Sequence, residues 1–102
     1  MPVITVTIAA NSGVDRVQLL AALNIAAATA LGLAPSEVHS VLLESVAAST
    51  GQAAITPWPI AIMHGRRRDE SAMTAAVDGV ANVLAQYLGC STSETWVQWV
   101  AA

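Results

Sequence analysis

The chain has 102 residues, 55% of them hydrophobic and 11% charged, with a net charge of −3. That length suits a single domain, here residues 1–102, and the balance excludes a disordered chain, which carries few apolar residues and many charges. Four arginines and no lysine leave no surface that could track phosphates, so nucleic acid is not an expected partner. The one cysteine, Cys90, has no internal disulfide partner, which fits a reducing cytoplasm. A domain of this size has limited interior volume, yet 21 residues are alanine alone. Either the chain enters a membrane, or some apolar surface is buried against other copies of itself.

In chain order, Pro2 opens an extended run, Val3 to Ile8, rich in β-branched residues and suited to a strand. Ser12 and Asp15 have the spacing of a capping box, and Val17, Leu20, Asn24, Ala27, Ala28 and Leu31 recur at helical spacing until Gly32 stops the helix. The 20 residues from Val17 to Ser36 are uncharged, close to the ~20 that a spanning helix needs. They include Gln18, Asn24, Thr29 and Pro35, and no basic stretch precedes them, so the run reads as a buried helix rather than a membrane span or a leader's apolar region. Val38 to Leu43 is the second strand, and Ser45 to Trp58 connects it to the second half of the chain.

Displacing the sequence by 57 positions (59 minus 2) lays Pro2 on Pro59, Leu31-Gly32 on Leu88-Gly89, and Ser36-Glu37 on Ser93-Glu94 without a gap. Ile60 to His64 becomes the third strand, Asp69 and Glu70 open a second helix that Gly89 ends, and Thr95 to Val100 is the fourth strand. The chain reads as two β-α-β units, residues 2–44 and 59–101, joined by a linker over 45–58. The expected fold is α/β (α+β): a four-stranded sheet with two helices on one face. The strands are apolar on both sides, so the uncovered face implies self-association.

Pro2 is the most informative residue. Removal of Met1 before a small residue would expose a secondary amine, and an α-amino group titrates near ~7.7–8.0. Apolar burial or a nearby arginine disfavours the ammonium form, leaving a general base that is largely neutral near pH 7. Met-Pro followed by an alternating strand, a capped helix and a second strand resembles the tautomerase superfamily, which is built on β-α-β units with a catalytic amino-terminal proline. The resemblance covers essentially the whole chain, and it is similar to fused two-unit members such as malonate semialdehyde decarboxylase. It implies a homotrimer with sheets lining a central barrel, no cofactor, and a small carbonyl or carboxylate substrate.

Three of the four arginines sit together in His64-Gly65-Arg66-Arg67-Arg68-Asp69-Glu70. Arginine's planar fork matches a carboxylate, and the resemblance implies that Arg66, with Arg67 or Arg68, holds the substrate carboxylate or polarises its carbonyl. The alternative is a solvated turn pairing with Asp69 or Glu70. Glu37 matches by position an aspartate that assists decarboxylation in malonate semialdehyde decarboxylase, but Glu94 repeats it in the second half, which suggests a structural role. His39 lies roughly where 4-oxalocrotonate tautomerase has a substrate-binding arginine, and a histidine there can bind or protonate substrate; one satisfied by its neighbours is the alternative. Trp58, in the linker, can wall a pocket. Trp96 and Trp99, three apart on a strand, face opposite ways.

No zinc-type ligand spacing and no glycine-rich phosphate loop is present. The lysine that follows the helix-ending glycine in macrophage migration inhibitory factor is replaced here by Leu33. The tyrosine and late glutamate that activate water in chloroacrylic acid dehalogenase have no counterpart. Hydrolytic dehalogenation is therefore disfavoured, and the resemblance implies keto–enol tautomerisation of a 2-oxo acid or dicarbonyl, with β-keto acid decarboxylation or a non-catalytic binding role as alternatives.

Overall fold

Residues 1–102 are described by a computed structural model. Val3–Ala9 forms β1, which alternates half-buried and buried positions, the signature of a strand between two unlike surroundings. Helix α1, Arg16–Leu31, comes next. Its N-cap is Asp15, whose carboxylate accepts the Gln18 N–H at 3.1 Å; Ser12 lies outside the cap. Gly32 ends the helix at φ 70°, in the left-handed region that a side chain disfavours. A single 3-10 turn over Pro35–Glu37 leads into β2, His39–Ser45.

Between the halves, β3 (Ala48–Thr50) and β4 (Ala53–Ile55) pair as an antiparallel hairpin. The residues of this linker predict a plain connection, because three-residue strands carry too little alternation to register as a pattern. The second half then runs through the same elements as the first: β5 (Ile60–Gly65), α2 (Glu70–Leu88), a left-handed Gly89 at φ 68°, a 3-10 turn over Thr92–Glu94, and β6 (Trp96–Ala101).

The main sheet has the order β2-β1-β5-β6. Within each half the strands are parallel, and β1 and β5 meet antiparallel at the centre. Both helices cover one face. Ile4, Val6 and Ile8 of β1 and Ala61 and Met63 of β5 point into this layer against Leu19, Leu23 and Ala27 of α1 and Ala76, Val80 and Leu84 of α2. The helices touch through small residues: a side chain on Gly79 would meet the Ala26 Cβ at 3.6 Å. Alanine's abundance lets the two cylinders lie close together on a narrow sheet. No helix is long and apolar enough to cross a membrane.

Only 15 of 102 residues are buried, which is few for a chain more than half apolar. Part of the shortfall lies on the other sheet face. Leu43, Thr7, Ile60 and Trp96 form one row across all four strands. Leu43, Trp96 and, one row along, Val41 are each 40% exposed or more. A patch of this kind is rare on a monomer.

Candidate active site

Parallel pairing of β1 with β2 and antiparallel pairing of β1 with β5 have one consequence for chemistry. The start of β1, the start of β2 and the end of β5 all lie at the same end of the sheet. Pro2 sits there, buried, and its carbonyl accepts the His39 N–H at 3.0 Å. The register that pairs Val3 with His64 brings Pro2 beside Gly65. A Cβ placed on Gly65 would lie 3.5 Å from the Pro2 Cβ, and 3.0 Å and 3.3 Å from Cζ2 and Cη2 of Trp99. Gly65 thus leaves open the space that Trp99 and the proline both border. A glycine at a strand's end is a known mark of close approach, and it is the one sequence signal for this contact.

The arginine cluster follows Gly65 directly, in the turn before α2. Its three members differ. Arg66 is exposed. Arg67 is exposed too and pairs with Glu70 at 3.5 Å. Arg68 is half-buried, and its Nε is closed to solvent and has no acceptor. A guanidinium N–H held out of water without a partner is costly unless an acceptor arrives. Arg68 is therefore the cluster's best-prepared anion donor. Beside it, a cleft of about 390 Å³ lies between α2 and the sheet, lined by Arg67, Glu70, Met73, Val77, Trp99 and Ala101 among others.

Glu37 and His39 reach this end of the sheet in different ways. The Glu37 carboxylate accepts the Ala34 N–H at 3.2 Å and closes its own 3-10 turn. Glu94 does the same in the second half, accepting the Ser91 N–H at 2.9 Å and its hydroxyl at 3.0 Å. Both glutamates thus hold a turn that launches a strand. Those two bonds, the backbone one first, keep the Glu94 carboxyl below its ordinary range. His39 touches Pro2 through the backbone, but its imidazole shares the bare sheet face with Val3, whereas the Pro2 ring faces the helix side, toward Gly65 and Trp99.

Trp58 is not part of this arrangement within one chain. The antiparallel centre pairs Thr7 with Ile60, so Trp58 and Pro59 stand beside the far end of β1. There they line a separate cavity of about 310 Å³ with Ala9, Asn11, Leu88 and Cys90. Pro59 repeats the backbone role of Pro2, its carbonyl accepting the Trp96 N–H at 2.9 Å. Its nitrogen, locked in a tertiary amide, has no lone pair to offer as a base. Burial first, and the Glu94 carboxylate second, push the Cys90 thiol up, which leaves it protonated and weak as a nucleophile at neutral pH.

No family model and no curated protein sequence matches this chain. Solved structures do. Native fused 4-OT superposes with a TM-score of 0.85 at 20% identity over 98% of this chain and 86% of that one. Pt0534 inactivated by 2-oxo-3-pentynoate gives 0.80 at 19% identity over 99% and 84%. Malonate semialdehyde decarboxylase gives 0.72 at 15% identity over 98% and 84%. These are enzymes of the tautomerase superfamily, and this chain has their β-α-β fold over nearly its whole length.

Proposed function

We propose that this chain is a cofactor-independent keto–enol tautomerase acting on a small 2-oxo acid or dicarbonyl, with the Pro2 amine, freed by loss of Met1, as its acid–base group. The observation that carries this reading is the meeting of a buried Pro2 with Gly65, whose strand runs straight into three arginines. The neutral amine takes the enol hydroxyl proton and the ammonium so formed returns a proton to carbon, so the C=C bond becomes single as the C–O bond becomes double and the amine is regenerated neutral. Apolar surroundings favour the neutral amine that begins this cycle. Arg68, with Arg66 beside it in the turn, binds the carboxylate and offsets charge on the enolate oxygen.

Decarboxylation of a β-keto acid is the second reading, favoured by the likeness to malonate semialdehyde decarboxylase. There a protonated Pro2 and the arginines would polarise the carbonyl. Glu37 is already committed to its turn, which counts against an assisting role. The bare apolar face supports self-association, and the likeness to fused 4-OT, itself solved as symmetric and asymmetric trimers, favours a homotrimer. A panel of enolisable 2-oxo acids and β-keto acids, assayed with wild type and Pro2→Ala, tests the assignment. Wild type should lack Met1 by intact mass, and Pro2→Ala should lose turnover. Full activity in Pro2→Ala refutes the catalytic reading.

A further inference from the structure

The repeat gives the Pro2 end a counterpart at the other end of the sheet, and the two ends differ in charge. Arg66-Arg67-Arg68-Asp69-Glu70 corresponds there to Ala9-Ala10-Asn11-Ser12-Gly13, so a turn that carries three arginines in one half carries no charge in the other. The fourth arginine, Arg16, is paired with Glu44. Trp58 takes the place of Met1, and Pro59 that of Pro2. Both border the cavity of about 310 Å³, and Glu94 is the one charged residue on its lining. Three features of this cavity favour positive charge. Both bonds that hold Glu94 in its turn end on Oε1, which leaves Oε2 free, and a carboxyl kept below its ordinary range is ionised at neutral pH. Helix α2 ends here, with Leu88, its last residue, and then Cys90 on the wall. Its last turn has no basic side chain, so the negative end of the helix dipole is unbalanced. Trp58, 50% exposed, offers an indole to a ligand, and the face of such a ring attracts a cation.

We propose that this cavity is a second ligand site, which takes a small quaternary ammonium: its methyl groups lie against Trp58 and Leu88, and its charge is held by Glu94 and the C-terminal end of α2. A quaternary nitrogen has no N–H to satisfy, so it asks for apolar walls and a diffuse negative field rather than directed acceptors. The cavity supplies both, in a volume ordinary for a small-molecule site. A carboxylate is disfavoured here, because it would meet Glu94 and the carbonyl end of a helix and find no arginine. The site lies at the opposite end of the sheet from Pro2 and is independent of the acid–base reading.

Choline, its neutral carbon isostere dimethylbutanol, and phosphocholine are titrated into the full chain at low ionic strength, where charge is least screened, following heat and tryptophan fluorescence. Choline should bind about tenfold more tightly than its isostere. Trp58→Leu, which keeps an apolar wall and deletes the ring, should weaken choline about tenfold. Asn11→Arg, at an exposed turn position on the lining, gives this turn a charge that its counterpart carries. It should weaken choline by a similar factor while the far-ultraviolet spectrum is kept. Phosphocholine, whose phosphate meets the same negative field, should bind more weakly than choline, which separates a free ammonium ligand from a lipid headgroup. Choline binding no tighter than its isostere, unchanged affinity in either variant, or phosphocholine as the tighter ligand overturns the proposal.

Discussion

Gly65→Ala is the sharpest single perturbation of the site. The backbone at Gly65 is not left-handed, so the added methyl costs nothing in conformation and acts only through space. It would stand 3.0 Å from Trp99 Cζ2, 3.3 Å from Cη2 and 3.5 Å from the Pro2 Cβ. The first two contacts are too tight, and the indole must retreat by a few tenths of an ångström. Trp99 is only half-buried, so it can give way, and the stability cost falls near the low end of overpacking, about 1 kcal/mol. Activity should fall too, but by less than the roughly 100-fold that a misplacement of about 1 Å costs, because the ring beside Pro2 shifts by only a few tenths of an ångström. Chemical denaturation and steady-state kinetics on one preparation separate the two effects. Trp99→Leu removes the clashing ring, so Gly65→Ala should cost measurably less stability in that background than in wild type. Wild-type kcat/KM in Gly65→Ala, or an equal stability cost in the two backgrounds, would refute the packing argument.

Three other outcomes are expected from the fold. Asp15→Ala removes the acceptor for the Gln18 N–H and should lower stability by about 1 kcal/mol in denaturant titrations. Leu43→Glu or Trp96→Glu places charge on the exposed apolar row and should break the proposed trimer, moving sedimentation toward monomer while the far-ultraviolet spectrum is kept. Glu94, whose pKa is lowered first by the Ser91 N–H and then by its hydroxyl, stabilises the fold above the ordinary carboxylate range, about pH 4.3. That contribution disappears as pH falls through the lowered value. Glu94→Gln should therefore flatten stability against pH on the acid side and leave its alkaline side alone.

Much of the fold is legible in the residues themselves. β-branched alternation marks β1, helical spacing marks α1 and α2, and Gly32 and Gly89 mark their ends, because these signals arise within a few residues of chain. The 57-residue displacement even aligns the two 3-10 turns. The β3–β4 hairpin leaves no such mark, because strands of three residues have no period to detect. Asp15 rather than a Ser12–Asp15 box caps α1, while Ser12 belongs to the turn after β1, where its N–H donates to the Ala9 carbonyl at 3.2 Å.

What neighbouring residues fix is therefore local: elements, their boundaries, a proline just ahead of the first strand, and a cluster of arginines. Tertiary structure decided which of these meet. Strand order and the antiparallel centre bring Gly65, the arginine turn and Trp99 to Pro2, and they send Trp58 to the opposite end with Pro59. Strand alternation places the His39 imidazole on the face away from the Pro2 ring. Burial singles out Arg68 among three adjacent arginines that look equivalent in one dimension. The physical reason is the same each time: periodicity is written between neighbours in sequence, whereas desolvation and close approach depend on residues brought together from far apart in it.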